Sequence, residues 1–380
     1  MDQGKSIALL RELKQLKATK RAFLDADVER SPIARYTDPA RFQQEQAWIR
    51  SRPCALAHSS ELSEPGAFLT LEHAGLPLLL TRDRSGQVRA FLNVCRHRGA
   101  RLVDESSGCK HRFSCPYHAW TYGDDGRLIG VPHEAQGFPN LDRASHGLHA
   151  LRVSERHGFV WVWDDRGTLS IDDWLKGFGP DLAGFELDAS EVKASTERTA
   201  AANWKLLVEG GLEAYHFRVA HAQTIGPYFE DNLSSYQTAG LHLRSVLPRT
   251  KLDTLNDAAE DGWVLRDAAN LLYTFLPFTQ LLVQQDHVIW IRFQPLNAAQ
   301  TQLRLVTLAP RDAGPLAHWA QNHDITLRTL YEDFALGEGV QSNLASGANQ
   351  ALTFGRFEGA LGKFNRNVEA ELAVMPVVVS

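Results

Sequence analysis

The sequence predicts an α+β fold in which a small all-β domain precedes a domain with an antiparallel sheet and helices against one face. Short β-rich runs such as LPLLLT and HGFVWVW, separated by the turn sequences DRSGQ, DDGR and DDRG, extend from about Pro53 to Trp163. Further along, LLYTFLPFTQLLVQQ and HVIWIRFQP have the composition of long strands, with a turn near Asp286.

Helical patterns occupy the start of the chain and two later stretches. The first twenty residues place leucines and basic residues at helical spacing, which predicts an amphipathic helix. Helical character returns from Asn203 to about His221, and again over 316–372, where glycines interrupt it. We therefore expect an N-terminal helical segment over 1–45, the all-β domain over 46–165 and the second domain over 166–380. A passage rich in Pro, Gly and Asp over 164–180 marks the boundary between them.

Composition narrows the class of protein. The 380 residues are 44% apolar and 22% charged, which is ordinary for a globular protein that buries a core. The net charge is -5 and no block of like charge occurs, so we expect no nucleic-acid partner. Four unevenly spaced cysteines do not make a disulfide framework, which favours a cytoplasmic protein with reduced thiols. The sequence contains no run of 18 apolar residues, so we expect no membrane-spanning helix.

The strongest motif is a pair of short Cys and His segments. Cys95 and His97 are followed, after seventeen intervening residues, by Cys115 and His118. Two such loops can hold a diiron cluster with both cysteines on one iron and both histidines on the other. The same four side chains could instead bind structural zinc. The ligand types alone leave both interpretations open.

The neighbouring residues extend this motif. CRHRGARLV and SCPYHAWTY resemble the C-x-H-R-G and C-P-Y-H-x-W motifs of the Rieske domain in Rieske-type non-heme iron oxygenases. The resemblance implies a [2Fe–2S] cluster on the four motif residues. Gly99, Pro116 and Gly126 would let the loops fold tightly around it. Cys54 and Cys109 are interpreted as buried small apolar residues, not as ligands.

A second candidate metal site involves two histidines five residues apart. His216 and His221 lie about 140° apart on a regular helix, so both can bind one metal only if the helix bulges or ends between them. Glu213 is placed to contact the outward nitrogen of His216. Two histidines and one carboxylate form the facial triad of non-heme Fe(II) oxygenases. By residue chemistry alone the candidate carboxylates are Glu209, Glu213, Asp324, Glu332, Asp333 and Glu338.

The family resemblance narrows that choice and covers nearly the whole chain from Pro53 onward. YEDFALGEGVQSNLAS is similar to the family segment that supplies the carboxylate, which implies Asp333 as the third iron ligand in a helix-grip catalytic domain. Glu213 stands where the family carries a carboxylate that links His118 of one subunit to His216 of the next in a homotrimer. Its alternative interpretation is a solvated helical glutamate. Asn203 is expected near the iron or as a helix N-cap.

Two residues depart from the family pattern. Gly210 stands where the family often has asparagine, and Asn343 stands where it often has glycine. Neither change removes a ligand, but both bear on the local helix geometry and on the shape of the pocket.

The resemblance implies an oxygenase that receives electrons from a separate flavin and iron–sulfur reductase, or a ferredoxin, and uses NAD(P)H only through that partner. No Gly-rich nucleotide fingerprint occurs in this chain, in keeping with a separate reductase. A glutamate at position 213 resembles the branch that acts on quaternary ammonium or N-methyl compounds. An aromatic-ring hydroxylase or O-demethylase is the alternative, with either mono- or dioxygenation. Alternatives of other classes are a Rieske electron carrier without oxygenase activity and a zinc-stabilised ligand-binding protein.

A substrate with a positive charge predicts an aromatic pocket, because aromatic faces attract cations. The same residue types are usually part of a hydrophobic core. The candidates for this aromatic cage are Tyr215, Phe217, Tyr228, Phe229, Tyr273 and Phe275.

Overall fold

The structure, a computed structural model, describes residues 1–164 and 167–375. These residues form two compact units, one made of Ile49–Trp174 and the other of Met1–Trp48 together with the chain from Leu175 onward. The predicted domain boundary between residues 165 and 166 lies outside the described residues. So do part of the DDRG turn and residues 376–380 of the predicted second domain.

The first part of the chain begins with helices and continues as short strands. Its elements are α1 Gln3–Ala18, β1 Glu29–Pro32, α2 Ala34–Thr37, α3 Pro39–Ser51, β2 Cys54–His58, β3 Ala67–His73, β4 Leu76–Arg82, β5 Val88–Leu92, β6 Ser107–Cys109, β7 Arg112–Ser114, β8 Thr121–Gly123, β9 Leu128–Gly130, α4 Glu134–Gly137, β10 Arg152–Arg156, β11 Phe159–Trp163 and α5 Ile171–Trp174.

The second part combines long strands with helices. Its elements are α6 Gly179–Ala183, β12 Ser190–Ala200, α7 Trp204–Gly210, α8 Phe217–Ala220, β13 Ser235–Ala239, β14 His242–Pro248, α9 Leu265–Ala268, β15 Ala269–Phe275, β16 Thr279–Val283, β17 Val288–Asn297, β18 Gln300–Pro310, α10 Leu316–Leu344, β19 Ala351–Phe354 and α11 Gly359–Ala373.

The smaller unit consists of antiparallel strands, as its turn-rich sequence predicts. Its described residues form three small sheets with the strand orders β5-β4-β3-β6, β10-β11-β2 and β7-β8-β9. Strand β5 ends shortly before Cys95. Strand β7 ends just before the Cys115 loop, and β8 begins just after it. The two loops of the Cys and His motif therefore extend from strand ends, where the sheets fix their positions.

The larger unit is built on an antiparallel sheet whose seven described strands follow the order β12-β18-β17-β16-β15-β14-β13. The run LLYTFLPFTQLLVQQ was expected to be one long strand, but it forms the hairpin of β15 and β16. Pro277 lies in the connection, where its lack of an N–H group removes no ladder hydrogen bond. The N-terminal strand β1 pairs with β19 near the other end of the chain. The predicted α+β class with antiparallel sheets is confirmed.

Helix α10 crosses the sheet and is held at defined points. His323 lies between two threonine hydroxyls, 2.9 Å from Thr196 on β12 and 2.8 Å from Thr307 on β18. Further along, Glu338 accepts a hydrogen bond at 3.0 Å from an arginine of β12. The helix continues through Gly337 and Gly339 but ends at Leu344, and strand β19 separates it from α11, so the helical stretch expected over 316–372 is not continuous. These contacts lie on either side of Asp333 and fix its position over the sheet.

Buried polar contacts hold helix α7 in place. The Lys205 ammonium donates to the Glu45 carboxylate at 2.6 Å, and the Trp204 indole donates to the same carboxylate at 2.8 Å. Removing one partner of such a buried ion pair leaves an uncompensated charge. The contacts therefore fix the start of the segment that leads to His216. No helix in the described residues combines the length and apolarity of a membrane-spanning segment.

Candidate metal centres

The four residues of the first motif lie on two loops with the same backbone hydrogen bonding. The Cys95 carbonyl accepts from the Gly99 N–H at 3.0 Å, and the Cys115 carbonyl accepts from the Ala119 N–H at 2.9 Å. In each loop the cysteine N–H also donates to the carbonyl five residues further on, at 2.8 Å. Gly99 and Ala119 both have positive φ, +79° and +56°. Glycine adopts this region freely, whereas alanine is penalised by roughly 1–2 kcal/mol, so the Ala119 loop is held by its surroundings.

The side chains of these loops form a buried thiol pair and a half-buried imidazole pair. Cys95 and Cys115 are buried, and burial together with the neighbouring Cys115 thiol raises the pKa of the Cys95 thiol. The Nδ1 atoms of His97 and His118 lie 3.2 Å apart. Trp120 stacks on the His97 ring with the ring centroids 4.9 Å apart. The imidazole pair is thus the side of the site nearer to solvent.

The spacing of the four donors distinguishes one metal ion from a cluster. Four ligands of one zinc ion, each about 2.0–2.3 Å from it, would lie within about 4 Å of one another. Among residues 1–164 and 167–375, the one group of three or more such donors within 4.8 Å of one another is His216, His221 and Asp333. The two thiols and two imidazoles of the first site therefore do not converge on one point. That separation fits two irons, one bound by thiolates and one by imidazoles.

The second motif is not a continuous helix. Helix α7 ends at Gly210, and the short helix α8 follows, with His216 at its N-cap and His221 at its C-cap. The predicted helix from Asn203 to His221 is therefore broken, as joint binding by both histidines requires. The break brings the Nε2 atoms of His216 and His221 to 3.2 Å from each other.

Asp333 completes a compact set of three donors. Its Oδ1 lies 3.2 Å from His216 Nε2 and 2.9 Å from His221 Nε2. Donors about 2.1 Å from a divalent ion, at right angles to one another, would be about 3.0 Å apart. The observed spacings of 2.9, 3.2 and 3.2 Å fit three ligands on one face of an ion. That arrangement leaves the opposite face open, as in the two-histidine, one-carboxylate sites of non-heme iron.

Two further carboxylates orient the histidine rings. Glu213 Oε1 forms a close hydrogen bond with His216 Nδ1, and Glu332 Oε2 lies 2.7 Å from His221 Nδ1. Glu332 Oε2 also accepts from the Thr224 hydroxyl at 2.6 Å. Because each Nδ1 is engaged by a carboxylate, each Nε2 is left to face the centre of the site. The sequence predicted the Glu213 contact, but it gave Glu332 no role beyond that of a candidate ligand.

The electrostatics of this site favour positive charge. Burial opposes the charged form of His216, but hydrogen bonds with Asp333 and Glu213 outweigh it and raise its pKa to about 10. The pKa of His221 is also raised, by Asp333 and Glu332 against the effect of burial. Burial acts to raise the pKa of Asp333, yet its hydrogen bonds with the two histidines lower it overall. A divalent cation satisfies the same carboxylates, so the donor set fits a metal ion.

Comparison with known proteins agrees with both sites. Residues 52–151 match the Rieske [2Fe-2S] domain, and residues 187–373 match the catalytic domain of the ring-hydroxylating alpha subunit. The chain is 33% identical over 354 residues to the glycine betaine monooxygenase oxygenase subunit of Pseudomonas aeruginosa, a match covering 83% of this chain and 82% of that protein. This chain belongs to the Rieske-type ring-hydroxylating oxygenase alpha subunits.

Other relatives of this Rieske oxygenase subunit are more distant or match over a shorter length. It is 30% identical over 251 residues to the anthranilate 1,2-dioxygenase large subunit of Acinetobacter baylyi, over 64% of this chain and 53% of that protein. The chain thus spans about half the length of that relative. The quaternary ammonium Rieske monooxygenase CntA has the same fold, with a TM-score of 0.80 at 24% identity over 91% of this chain and 96% of that chain.

The remaining candidate carboxylates of the Rieske oxygenase subunit lie elsewhere. Glu209 is buried away from the histidines, where its Oε1 accepts from the Tyr36 hydroxyl at 2.8 Å and from Asn365 Nδ2 at 2.7 Å. Burial raises the pKa of Glu209 to about 7. Glu338 pairs with Arg198, and Asp324 is exposed on α10.

Of the two expectations for Asn203, a place near the iron or a helix N-cap, the structure shows the N-cap. Asn203 is the N-cap of α7, where its Oδ1 accepts from the Lys205 N–H at 3.0 Å. Its Nδ2 donates to the backbone carbonyls of Tyr36 and Ala298 at 3.1 and 2.8 Å. All the hydrogen-bonding groups of the amide are therefore engaged in positioning the helix. A helix N-cap is the role that residue type predicts for an asparagine before a helix.

A cavity of about 330 Å³ opens beside the His216, His221 and Asp333 site, with His221 and Asp333 in its wall. Of the six candidate cage aromatics, Phe217, Tyr228 and Phe229 line it. The other three correct the prediction. Tyr273 and Phe275 are fully buried in the core, and Tyr215 is 53% exposed. The six side chains do not form one cage, because three of them do not line the cavity.

The two departures from the family pattern have different consequences. Gly210 is the last residue of α7 and lines the cavity, where a Cβ atom would meet nothing within 4 Å. Asn343 lies on α10 and donates to the Gly339 carbonyl at 2.9 Å. The absence of a side chain at Gly210 therefore affects the cavity wall directly, whereas Asn343 bonds within its own helix.

Two expectations for the Rieske unit need correction. Cys54 is buried as expected, but Cys109 is exposed and ends the short strand β6. Gly126 does not belong to the cluster loops. It lies in the turn between β8 and β9 with φ at +80°, where a side chain would collide with the Phe91 ring.

Tyr122 is a residue of the Rieske unit that the motif did not single out. Its hydroxyl lies 3.4 Å from Cys95 Sγ and accepts from the Arg96 N–H at 3.0 Å. Hydrogen bonds to ligand sulfur withdraw negative charge and raise the reduction potential of an iron–sulfur site. We expect Tyr122→Phe to lower the cluster potential, measured by redox titration of the visible spectrum, with the cluster still bound. Tyr117→Phe is the matched control, because its hydroxyl bonds to Arg98 on the surface; equal potentials in the two variants would contradict the assignment.

Proposed function

We propose that this chain is the oxygenase component of a system that uses O2 and electrons from an external reductase to hydroxylate or oxidatively demethylate a small organic substrate. The observation that carries the proposal is the three-donor site of His216, His221 and Asp333, whose open side adjoins a cavity of about 330 Å³. An electron carrier would need no second metal site beside a cavity. A zinc-stabilised binding protein is disfavoured by the separation of the Cys and His donors.

Each group of residues has a part in this proposal. Cys95, Cys115, His97 and His118 would hold the [2Fe–2S] cluster, and His216, His221 and Asp333 would hold Fe(II). When bound, these groups supply electron storage and dioxygen activation, which side chains alone cannot provide. Glu213 and Glu332 hold the Nδ1 protons of the two histidines, which fixes the rings with Nε2 towards the metal. The largely apolar cavity wall would limit the access of water to the open side of the site.

The same proposal includes a role for Glu213 in electron transfer. Its carboxylate binds the His216 ring and is 9% exposed, so it is not the solvated helical glutamate of the alternative interpretation. We propose a homotrimer in which Glu213 of one subunit also contacts His118 of the next. A solved quaternary ammonium Rieske monooxygenase with 25% identity and a TM-score of 0.77 is described in terms of inter-subunit electron transfer, which supports this arrangement.

The proposed substrate is an N-methyl or quaternary ammonium compound. The similarity to glycine betaine monooxygenase and to the solved quaternary ammonium Rieske monooxygenase that is 25% identical supports it. The faces of Phe217, Tyr228 and Phe229 along the cavity support it as well. Oxidative demethylation would insert one atom of O2 into a methyl C–H bond and release formaldehyde, while two electrons and two protons reduce the other atom to water. Aromatic-ring hydroxylation is the second candidate, favoured by the apolar wall and by the similarity to anthranilate dioxygenase.

The remaining proposals concern partners and location. A separate flavin and iron–sulfur reductase, or a ferredoxin, would supply the electrons from NAD(P)H. No disulfide joins the four cysteines, which all lie in the described residues, and this favours a reducing, cytoplasmic compartment.

A substrate screen with a surrogate reductase tests the proposed reaction. The reconstituted subunit would be supplied with O2, NADH and either N-methylated cations or aromatic acids. We expect substrate-dependent NADH consumption with the N-methylated compounds, together with formaldehyde and a demethylated product in the mass spectrum. Turnover of aromatic acids with no turnover of N-methylated compounds would reverse the order of the two candidates.

A further inference from the structure

The wall of the cavity beside the candidate iron site combines apolar and polar residues. Phe217 lies against the His221 ring, with the ring centroids 5.5 Å apart. Phe217 packs in one apolar cluster with Leu247 and Leu282, and all three line the cavity. Arg249 is among the polar residues of the same wall.

Strand geometry places Arg249 on the cavity side of its strand. Arg249 follows β14 in an extended conformation, with φ at -88° and ψ at 160°, and pairs with Phe229 in an isolated bridge. Residues two apart on an extended chain face the same side and are separated by about 7 Å. Arg249 therefore points to the same side as Leu247, two residues further along the chain. Asn270 is the direct cross-strand partner of Leu247 and lines the same cavity.

The Arg249 side chain has unused hydrogen-bonding capacity. Its Nη2 donates to Asn270 Oδ1, whereas a guanidinium carries five N–H donors. Within the described chain no carboxylate oxygen comes within 4 Å of this guanidinium. Burial lowers the pKa of Arg249, against the opposing influence of Asp286 and Asp267. Those two carboxylates are hydrogen-bonded to His287 at 2.7 Å and to Gln285 at 2.9 Å.

The charge balance of the cavity points the same way. Among the described residues that line it, the one carboxylate is Asp333, which belongs to the three-donor site. The charged side chains at the cavity wall are otherwise Arg249 and the exposed Lys251. A half-buried planar fork with free donors pairs best with a carboxylate, which can accept two parallel hydrogen bonds. An amine or a trimethylammonium group would be repelled at Arg249.

We propose that Arg249, oriented by Asn270, binds a carboxylate group of the substrate and thereby selects organic acids. This inference rests on the proposed oxygenase function and specifies its substrate class. The carboxylate is bound at Arg249, and the methyl-bearing or aromatic part of the same molecule extends past Leu247 and Phe217 towards the open side of the metal site. A zwitterion with an N-methylated cation at one end and a carboxylate at the other satisfies both kinds of wall residue.

Paired probes test the inference independently of turnover. Binding of glycine betaine and choline, and of benzoate and benzamide, would be measured by calorimetry on the iron-loaded subunit, because each pair differs in the presence of a carboxylate. We expect the wild-type protein to bind the acid of at least one pair more tightly. Arg249→Met should weaken binding of that acid by about ten- to a hundredfold without weakening binding of the partner that lacks a carboxylate, while Arg249→Lys restores part of the preference.

Arg266→Met is the matched control. Arg266 is similarly half-buried near Asp267 and Asp286 but does not line the cavity. Iron content and melting temperature verify that each variant is folded. An acid preference that survives in Arg249→Met, or that is absent from the wild-type protein, would overturn the inference. If acids bind through Arg249 but no probe is oxidised, the inference stands and the proposed oxygenase function fails. If N-methylated compounds are oxidised and the acid preference is unchanged in Arg249→Met, the oxygenase function stands and the inference about Arg249 fails.

Discussion

Replacing Asp333 with alanine is expected to lower the iron content from about three to about two atoms per chain and to abolish product formation. The physical reason is that Asp333 Oδ1 is within 3.2 Å of both histidine Nε2 atoms, so its loss removes the single anionic donor of the set. The visible spectrum of the [2Fe–2S] cluster should be unchanged, because the cluster donors lie in the other unit. Metal analysis, optical spectroscopy and a product assay measure the three effects.

Asp324→Ala serves as the matched control for this prediction. Asp324 lies on the same helix α10 and is exposed, so its removal changes the same charge without touching the metal site. We expect wild-type iron content and activity in this variant. An Asp333→Ala protein that keeps its full iron content would exclude Asp333 as a ligand, and one that loses the cluster spectrum as well would indicate a folding defect.

Replacing Glu213 with alanine is expected to slow electron transfer from the cluster to the mononuclear site, with about a 10–100-fold loss of activity. Glu213 binds the Nδ1 of His216, so its loss frees the ring of a metal ligand. The measurement is stopped-flow reoxidation of the chemically reduced cluster in the presence of substrate and O2. Glu213→Gln separates the loss of the hydrogen bond from the loss of the negative charge, because glutamine can accept the same hydrogen bond but carries no charge. Wild-type reoxidation in Glu213→Ala would contradict this role.

A second measurement tests whether the electrons cross between subunits. Chains carrying Cys115→Ser lack a cluster ligand, and chains carrying Asp333→Ala lack a ligand of the mononuclear site. Each should be inactive alone. When the two are expressed together, mixed assemblies contain an intact cluster on one chain and an intact mononuclear site on its neighbour. Recovered activity would support the proposed bridge through Glu213, whereas complete inactivity of purified mixed assemblies would oppose it.

The sequence predicted the thiol and imidazole donors of both sites because those donors lie in short local segments. The carboxylate Asp333 is distant in sequence from His216 and His221, and the family resemblance selected it. Cys95, His97, Cys115 and His118 form two short segments, and each segment folds into a loop closed by its own backbone hydrogen bonds. His216 and His221 are likewise local to each other. The fold class followed from the periodicity of short strands and long helices, which is also a local property.

Local patterns were less reliable where distant elements meet. The six aromatic residues proposed for a cage share a residue type, but Tyr273 and Phe275 are in the core while Phe217 and Phe229 face the cavity. Asn203 was expected near the iron or as a helix N-cap, and residue type alone did not decide that its amide is used by the helix cap. Residue type does not specify which side of a strand or helix end faces a cavity, because that depends on register and packing.

By itself the sequence determined the donor types, their pairing into two sites and the α+β class, since short loops and alternating strands are specified by neighbouring residues. The tertiary structure alone decided that Glu332 holds His221, that Glu209 is engaged by Tyr36 and Asn365, and that Arg249 reaches the cavity. Those outcomes depend on how helix α10 and the ends of the sheet strands are placed in space. Packing over many residues fixes such positions, and no spacing along the chain records them.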